Sequence, residues 1–408
     1  MTTSKPPARI QNPISGTIKR AYYPSLWIIL LVLVLMTVGC TDKSNIENPA
    51  SIADDARVKR ILAEKDASLL APLFWQQASR QLEETHQQIR QLQLSIEQLL
   101  DSPSKDSISR AKTQWLQALN SYYTLLPFLF LENGNNHSVF KQLNQWRFSL
   151  AAWPLQPAYL DSYDIYAHSG IVNDIALPIT KSTLRKQHGF SDDQEVTLGL
   201  HAIETLLWAK SDKAAFKRFQ AKHKVPLVLA QSGLQQNELP NNRRRQLLLL
   251  QSELLSDDSQ SLLKQWQKNG LLHTAFEQLP VIEKVMVFKQ SFQSCIVHLR
   301  DLLNHHNSNN SDNIPLDSFA NGHRPSMSLT IDTLESLYFA TTAGVDSAES
   351  SRLSLARILF NAQQQQQLAQ SLNSLSTQMR NNSDTAPADI IANLNQVIAL
   401  LSPDSENG

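Results

Sequence analysis

Apolar residues recur along most of the chain at the three- and four-residue spacing of amphipathic helices. Leu82, Ile89, Leu92, Ile96 and Leu99 fall at steps of 7, 3, 4 and 3, one stripe of a helix. Trp115, Leu119, Tyr122 and Leu126 form a second stripe. Pro103 and Ser104 mark the turn between the two, and Pro127 ends or kinks the second helix. The same reading predicts helices over about 138–152, 157–167, 194–210, 240–268, 272–304, 329–342, 350–380 and 387–401. Strand signals are weak throughout, so the expected fold class is all-α, built from packed helical bundles. Residues 304–328 are the clearest break, rich in Asn, Ser and His with Pro315 and Pro325, and read as a long loop. Gln363–Gln367 read as an exposed helix face.

One segment departs from this pattern. Leu26 to Val38 is an apolar run of 13 residues behind Lys19-Arg20. A membrane-spanning helix needs ~20 apolar residues and a signal-peptide core about 7–15. The run stops at Thr37-Val38-Gly39-Cys40, which resembles a bacterial lipoprotein cleavage site. Residues 1–39 are therefore expected to be a signal peptide, Cys40 the lipidated residue and 41–56 a polar tether. A domain over 57–402 follows, with possible halves at about 57–211 and 212–402. Thr37 stands where such sites usually have Leu, and the alternative is an uncleaved span starting near Ala21. Both readings put residues 41–408 in the cell envelope, outside the cytoplasmic membrane. Thr41, in place of an Asp, points to lipid anchoring at the outer membrane, facing the periplasm or the surface.

Composition adds exclusions. Only 11 of 408 residues are Gly and 42% are hydrophobic, which suits helices joined by short loops. Lys+Arg and Asp+Glu are equal at 37 each, but four basic residues and no acid lie in 1–39. The remainder carries 33 basic against 37 acidic residues, net −4, so no broad basic face and no nucleic-acid partner is expected. Arg243-Arg244-Arg245 read as a solvated helix face. With Cys40 lipidated, Cys295 is the remaining thiol, expected to be buried and inert.

The informative string is Gly199-Leu200-His201-Ala202-Ile203-Glu204-Thr205-Leu206-Leu207-Trp208. His201 and Glu204, at i and i+3, project from one helix face. Imidazole nitrogen with carboxylate oxygen is a donor pair for iron or zinc. Gly199 allows another backbone or a ligand to come close. By itself His-x-x-Glu is a weak signal, two ligands are too few for a closed site, and the same pair can be a simple hydrogen bond.

The longer string resembles the signature of the imelysin family, which includes the insulin-cleaving membrane protease and bacterial iron-regulated envelope proteins. Trp153-Pro154-Leu155, Ala158-Tyr159-Leu160-Asp161, Gly170-Ile171-Val172-Asn173 and Pro178-Ile179-Thr180 extend the resemblance over about 151–209. It implies an all-α fold of two bundle-like halves, an envelope location and a link to iron or other metal uptake. The ligands it suggests are His201 and Glu204, with Asp161 from a neighbouring helix and Trp208 packed behind. The implied partners are the membrane, a metal ion (iron or zinc) and an outer-membrane iron receptor. Peptidase activity also attaches to the family, but the chain lacks a His-Glu-x-x-His or Gly-x-Ser-x-Gly motif. A non-catalytic metal-binding accessory is therefore expected, with a metallopeptidase and a metal-free interaction scaffold as alternatives. Where relatives carry a Glu and then an Arg, this chain has Leu126 and Leu129, so the site is either degenerate or compensated by Asp161 and Glu195. Ala209-Lys210 stand where Gly and then an acid are usual. His305, His306 and His323 read as solvated loop residues, and Trp153 and Trp208 as core.

Overall fold

A computed structural model describes residues 62–134, 137–163, 165–208, 212–307, 320, 322–339, 354–381 and 385–402. The apolar run, Cys40 and the tether lie outside the described residues. The described residues belong to one compact unit. Its long helices are α1 (Glu64–Asp101), α2 (Lys105–Leu125), α3 (Ser138–Ala151), α4 (Gly199–Leu207), α5 (Pro240–Trp266), α6 (Val281–Asn307), α7 (His323–Phe339), α8 (Ala362–Arg380) and α9 (Pro387–Leu401). Short helices such as Lys181–Gln187 and Leu227–Gln231 lie between them. There is no strand among the described residues, as the missing period-two pattern predicts; an isolated bridge joins Tyr163 and Tyr166.

Local chemistry sets the helix ends. Ser104 caps α2 with a reciprocal capping box through Ser107, and Asn361 does the same for α8 through Gln364. Pro240 and Pro387 open α5 and α9, where a missing N–H costs nothing. Helix α2 stops at Leu125 and tightens into a 3-10 turn over Leu126–Phe128 around Pro127. Helix α1 starts well before the stripe at Leu82, because Leu70, Phe74, Trp75 and Ala78 continue its buried face upstream. The helix expected at 157–167 is one turn, Pro157–Leu160, and the one expected at 194–210 is confined to α4.

Helix α1 packs on α2, α5 and α6, so helices on either side of residue 211 share one core. Helix α7 packs on α2 and α8, and α9 lies against α6 and α8. Trp75 stacks on Trp266 at 4.4 Å and on Phe276 at 4.3 Å. Phe74 meets Phe288 and Phe292 edge-on, and Phe292 reaches Tyr338 of α7 at 6.0 Å. Each such ring contributes about 2–3 kcal/mol of burial. This aromatic seam fixes the bundle against which α4, buried at every position, is laid.

Candidate metal centre

Gly199 opens α4 at φ +89, a conformation L side chains rarely adopt. A Cβ there would stand 2.7 Å from the Leu150 carbonyl oxygen, so the glycine lets the end of α3 touch the start of α4. The preceding segment is pinned. Thr197 donates its hydroxyl to the Leu184 carbonyl (2.7 Å) and accepts from Gln251 at its own carbonyl (2.8 Å). Its N–H donates to His188 Nδ1 at 3.2 Å, so His188 carries its proton on Nε2, which donates to the Phe148 carbonyl at 3.0 Å. Burial pushes the His188 pKa down to about 4, which keeps that tautomer neutral. Trp115 of α2 donates its indole N–H to the Leu200 carbonyl at 2.8 Å.

This frame places Glu204 between two imidazoles. His201 Nδ1 is 3.2 Å from Oε2, and His323 Nε2 is 2.9 Å from Oε1, which also accepts the Ala320 N–H at 3.0 Å. His201 is 3% exposed, and Glu204 and His323 are both 0% exposed. One donor atom from each of the three lies within 4.8 Å of the others. Burial holds the His201 pKa below its ordinary value; Glu204 opposes the shift, while His323 and His298 add to it. A neutral imidazole is the form that ligates a metal. The indole of Trp153 stands 5.2 Å from the His201 ring, and Trp115 stands 5.5 Å from the His323 ring and 5.0 Å from Trp208. Trp153 and Trp208 are half-buried and line the cluster's surroundings.

Two imidazoles and one carboxylate make the donor set that holds ferrous iron or catalytic zinc while leaving coordination positions open. On donor chemistry the three residues present fit such an ion.

The structure corrects several sequence expectations. His323 is not a solvated loop residue: it is the first residue of α7, buried against Trp115 and Glu204. Pro325 is the signal that could have shown this, since proline is common in the first turn of a helix. The side chains of His305 and His306 lie outside the described residues. Asp161, expected as a ligand, is not brought into the cluster. Its carboxylate is held by Arg244 and by Arg218, the latter at 2.6 Å. Arg243 and Arg244 are not a solvated face, for both are buried. Arg243 donates to the carbonyls of Ile171, Val172, Asp174 and Leu177, tying that loop to α5. Glu195 accepts the Ser191 N–H and supplies nothing to the cluster.

Leu126 and Leu129 are fully buried core residues, and the nearest acid beyond them, Glu132, pairs with Arg147 of α3 at 2.5 Å. Arg147 lies 4.0 Å over the Phe130 ring, beside His298, in a cleft of about 400 Å³. Burial brings the His298 pKa down to about 4, and Arg147 adds to the shift. Neither Arg147 nor His298 carries a sequence motif that marks it. Cys295 is buried, and burial raises its thiol pKa well above the ordinary value, as expected for an inert residue.

The imelysin family model matches residues 78–377. The fold resembles the crystal structure of a putative iron-regulated protein A precursor from Parabacteroides distasonis ATCC 8503. The TM-score is 0.55 at 14% identity, over 84% of this chain and 95% of that one. It also resembles an imelysin-like protein from Psychrobacter arcticum 273-4, with a TM-score of 0.56 at 11% identity, over 83% of this chain and 94% of that one. No curated protein matches the sequence.

Proposed function

Because the chain belongs to the imelysin family, we propose that it is an exported envelope protein that binds iron at His201, Glu204 and His323 as an accessory of iron uptake. The observation that carries this reading is the fully buried Glu204 carboxylate between two imidazoles. A buried charge is costly unless paired, and a nitrogen–oxygen–nitrogen set drawn from two distant helices also has ligand chemistry. The iron link comes from a structural relative described as an iron-regulated protein A precursor. Export is supported by the apolar run Leu26–Val38 ahead of Cys40, with lipid anchoring to the outer membrane the finer form of that reading. No helix among the described residues is long and apolar enough to cross a membrane. Burial of all three ligands favours retention of an ion over hydrolysis of a peptide, which would need room beside the metal for a scissile bond.

Calorimetric titration of the chain with ferrous, ferric and zinc ions tests the proposal. Saturable iron binding that disappears in His323→Ala supports it; no binding by the wild-type protein removes it.

A second reading rests on one observation. The Glu204 carboxylate already accepts bonds from both imidazoles and the Ala320 N–H, so the cluster can lock α4 to α7 without a metal. Under that reading His323→Ala lowers thermal stability equally in chelator and in added iron.

A further inference from the structure

Residues 213–237 contain Lys213, Lys217, Arg218, Lys222 and Lys224 and no Asp or Glu, in a chain whose portion after residue 39 is net −4. Arg218 is taken up by Asp161. Lys217, Lys222 and Lys224 are exposed, and none pairs with a carboxylate among the described residues. Directly after them the short helix Leu227–Gln231 presents Leu227 at 83%, Val228 at 76% and Leu229 at 40% exposure. Gly233 closes the turn at φ +83 with nothing within 4 Å of a Cβ placed on it, so the tip stands clear of the body. Three consecutive exposed aliphatic residues are rare on a soluble surface unless they bind something.

The tip is held in place rather than left loose. From the first turn of α5, Asn241 donates to the carbonyls of Lys217 and Gln220, each at 3.1 Å. Asn242 donates to the carbonyls of Lys222 (2.9 Å) and Gln236 (2.7 Å), and its side-chain oxygen accepts the Lys222 N–H at 2.9 Å. Arg243, one residue on, ties down the loop that carries Ile175, itself 52% exposed. The start of α5 thus holds the segment that carries both the lysines and the exposed aliphatic side chains. Asp174 and Glu238 are the carboxylates nearby, and both face the Arg243 guanidinium, whose charge offsets theirs.

We propose that this segment docks on an anionic lipid surface, with Leu227, Val228 and Leu229 entering the headgroup boundary and Lys217, Lys222 and Lys224 facing lipid phosphates. Aliphatic side chains on a projecting tip, flanked by flexible lysines, match the chemistry of interfacial membrane binding. A protein partner would need a groove complementary to that tip, whereas a fluid lipid surface needs none. With the rest of the chain after residue 39 leaning negative, the basic segment also sets which face turns to an anionic bilayer. The inference does not rest on the metal site.

Hydrogen exchange of the full chain tests it, on vesicles of phosphatidylcholine alone and of phosphatidylcholine with phosphatidylglycerol. Expected is slower exchange over 225–233 on the anionic vesicles only. The docking equilibrium should weaken about fivefold per lysine in Lys222→Gln and Lys224→Gln, with docking also lost in Val228→Ser. Unchanged exchange in α5 and α6 shows that the variants are folded. Equal exchange on both lipids overturns the proposal, as does protection that appears only when a protein partner is added.

Discussion

Glu204 and His323 stand 119 residues apart in the chain and 2.9 Å apart in the fold. Their meeting depends on how α7 seats on α2. Ser326 donates to the Asn120 side-chain oxygen at 2.6 Å, and Thr330 donates to the Tyr123 carbonyl at 2.6 Å. These two bonds fix the register that brings the first residue of α7 over α4.

His323→Ala and His201→Ala are each expected to weaken iron or zinc binding by at least about a hundredfold, more than loss of an outer hydrogen bond costs. Asp161→Asn should leave the affinity unchanged, because Arg218 and Arg244 hold that carboxylate. Isothermal titration of the three variants checks both statements. A large loss of affinity in Asp161→Asn would return Asp161 to the ligand set.

Asp161→Asn should instead act on stability. It leaves Arg244 buried and Arg218 half-buried with no carboxylate facing them, at a cost of about 3–5 kcal/mol. Urea unfolding at neutral pH measures this. A change below about 1 kcal/mol would mean that the pair is replaceable by solvent.

Gly199→Ala and Gly233→Ala separate conformational strain from collision. Both glycines have positive φ, +89 and +83, but a Cβ at 199 meets the Leu150 carbonyl oxygen at 2.7 Å while one at 233 meets nothing within 4 Å. Gly233→Ala should cost about 1 kcal/mol, and Gly199→Ala clearly more, about 2 kcal/mol or above. Denaturation midpoints of the two variants provide the comparison.

Stability should fall as the pH drops from 6.5 toward 4. His188 and His298 titrate near 4 in the fold and near 6.5 when unfolded, and His201 is shifted in the same direction. Within that window the unfolded chain takes up protons that the native state refuses, so unfolding gains; well above 6.5 the slope from these groups vanishes. Melting temperatures across the window test this. His298→Gln should flatten the dependence, and an unchanged slope would show that His298 is not one of the groups responsible.

Much of the fold was readable because helix formation and burial follow local spacing. The stripes at Leu82–Leu99 and Trp115–Leu126 lie buried in α1 and in α2 with the turn that follows it, and α9 begins and ends where its Pro387 and apolar pattern place it. Half of the candidate site was readable for the same reason, since His201 and Glu204 share a face through i,i+3 geometry. His323 was not. It sits in Asn321-Gly322-His323-Arg324-Pro325, where Pro325 marks a helix start but nothing local tells a histidine facing water from one packed against Trp115. Arg243 and Arg244 misled in the same way: a run of charges reads as solvated until a loop's carbonyls and the Asp161 carboxylate are brought to it.

The helical class, the helix faces that turn inward and the glycine that α4 requires are local consequences of the sequence, because each depends on residues within a turn or two of one another. That His323 completes the cluster and that Asp161 belongs to arginines emerges with the packing of distant helices. Those outcomes depend on which helices pack together, and burying a charged group forces it to find a partner wherever in the chain that partner lies.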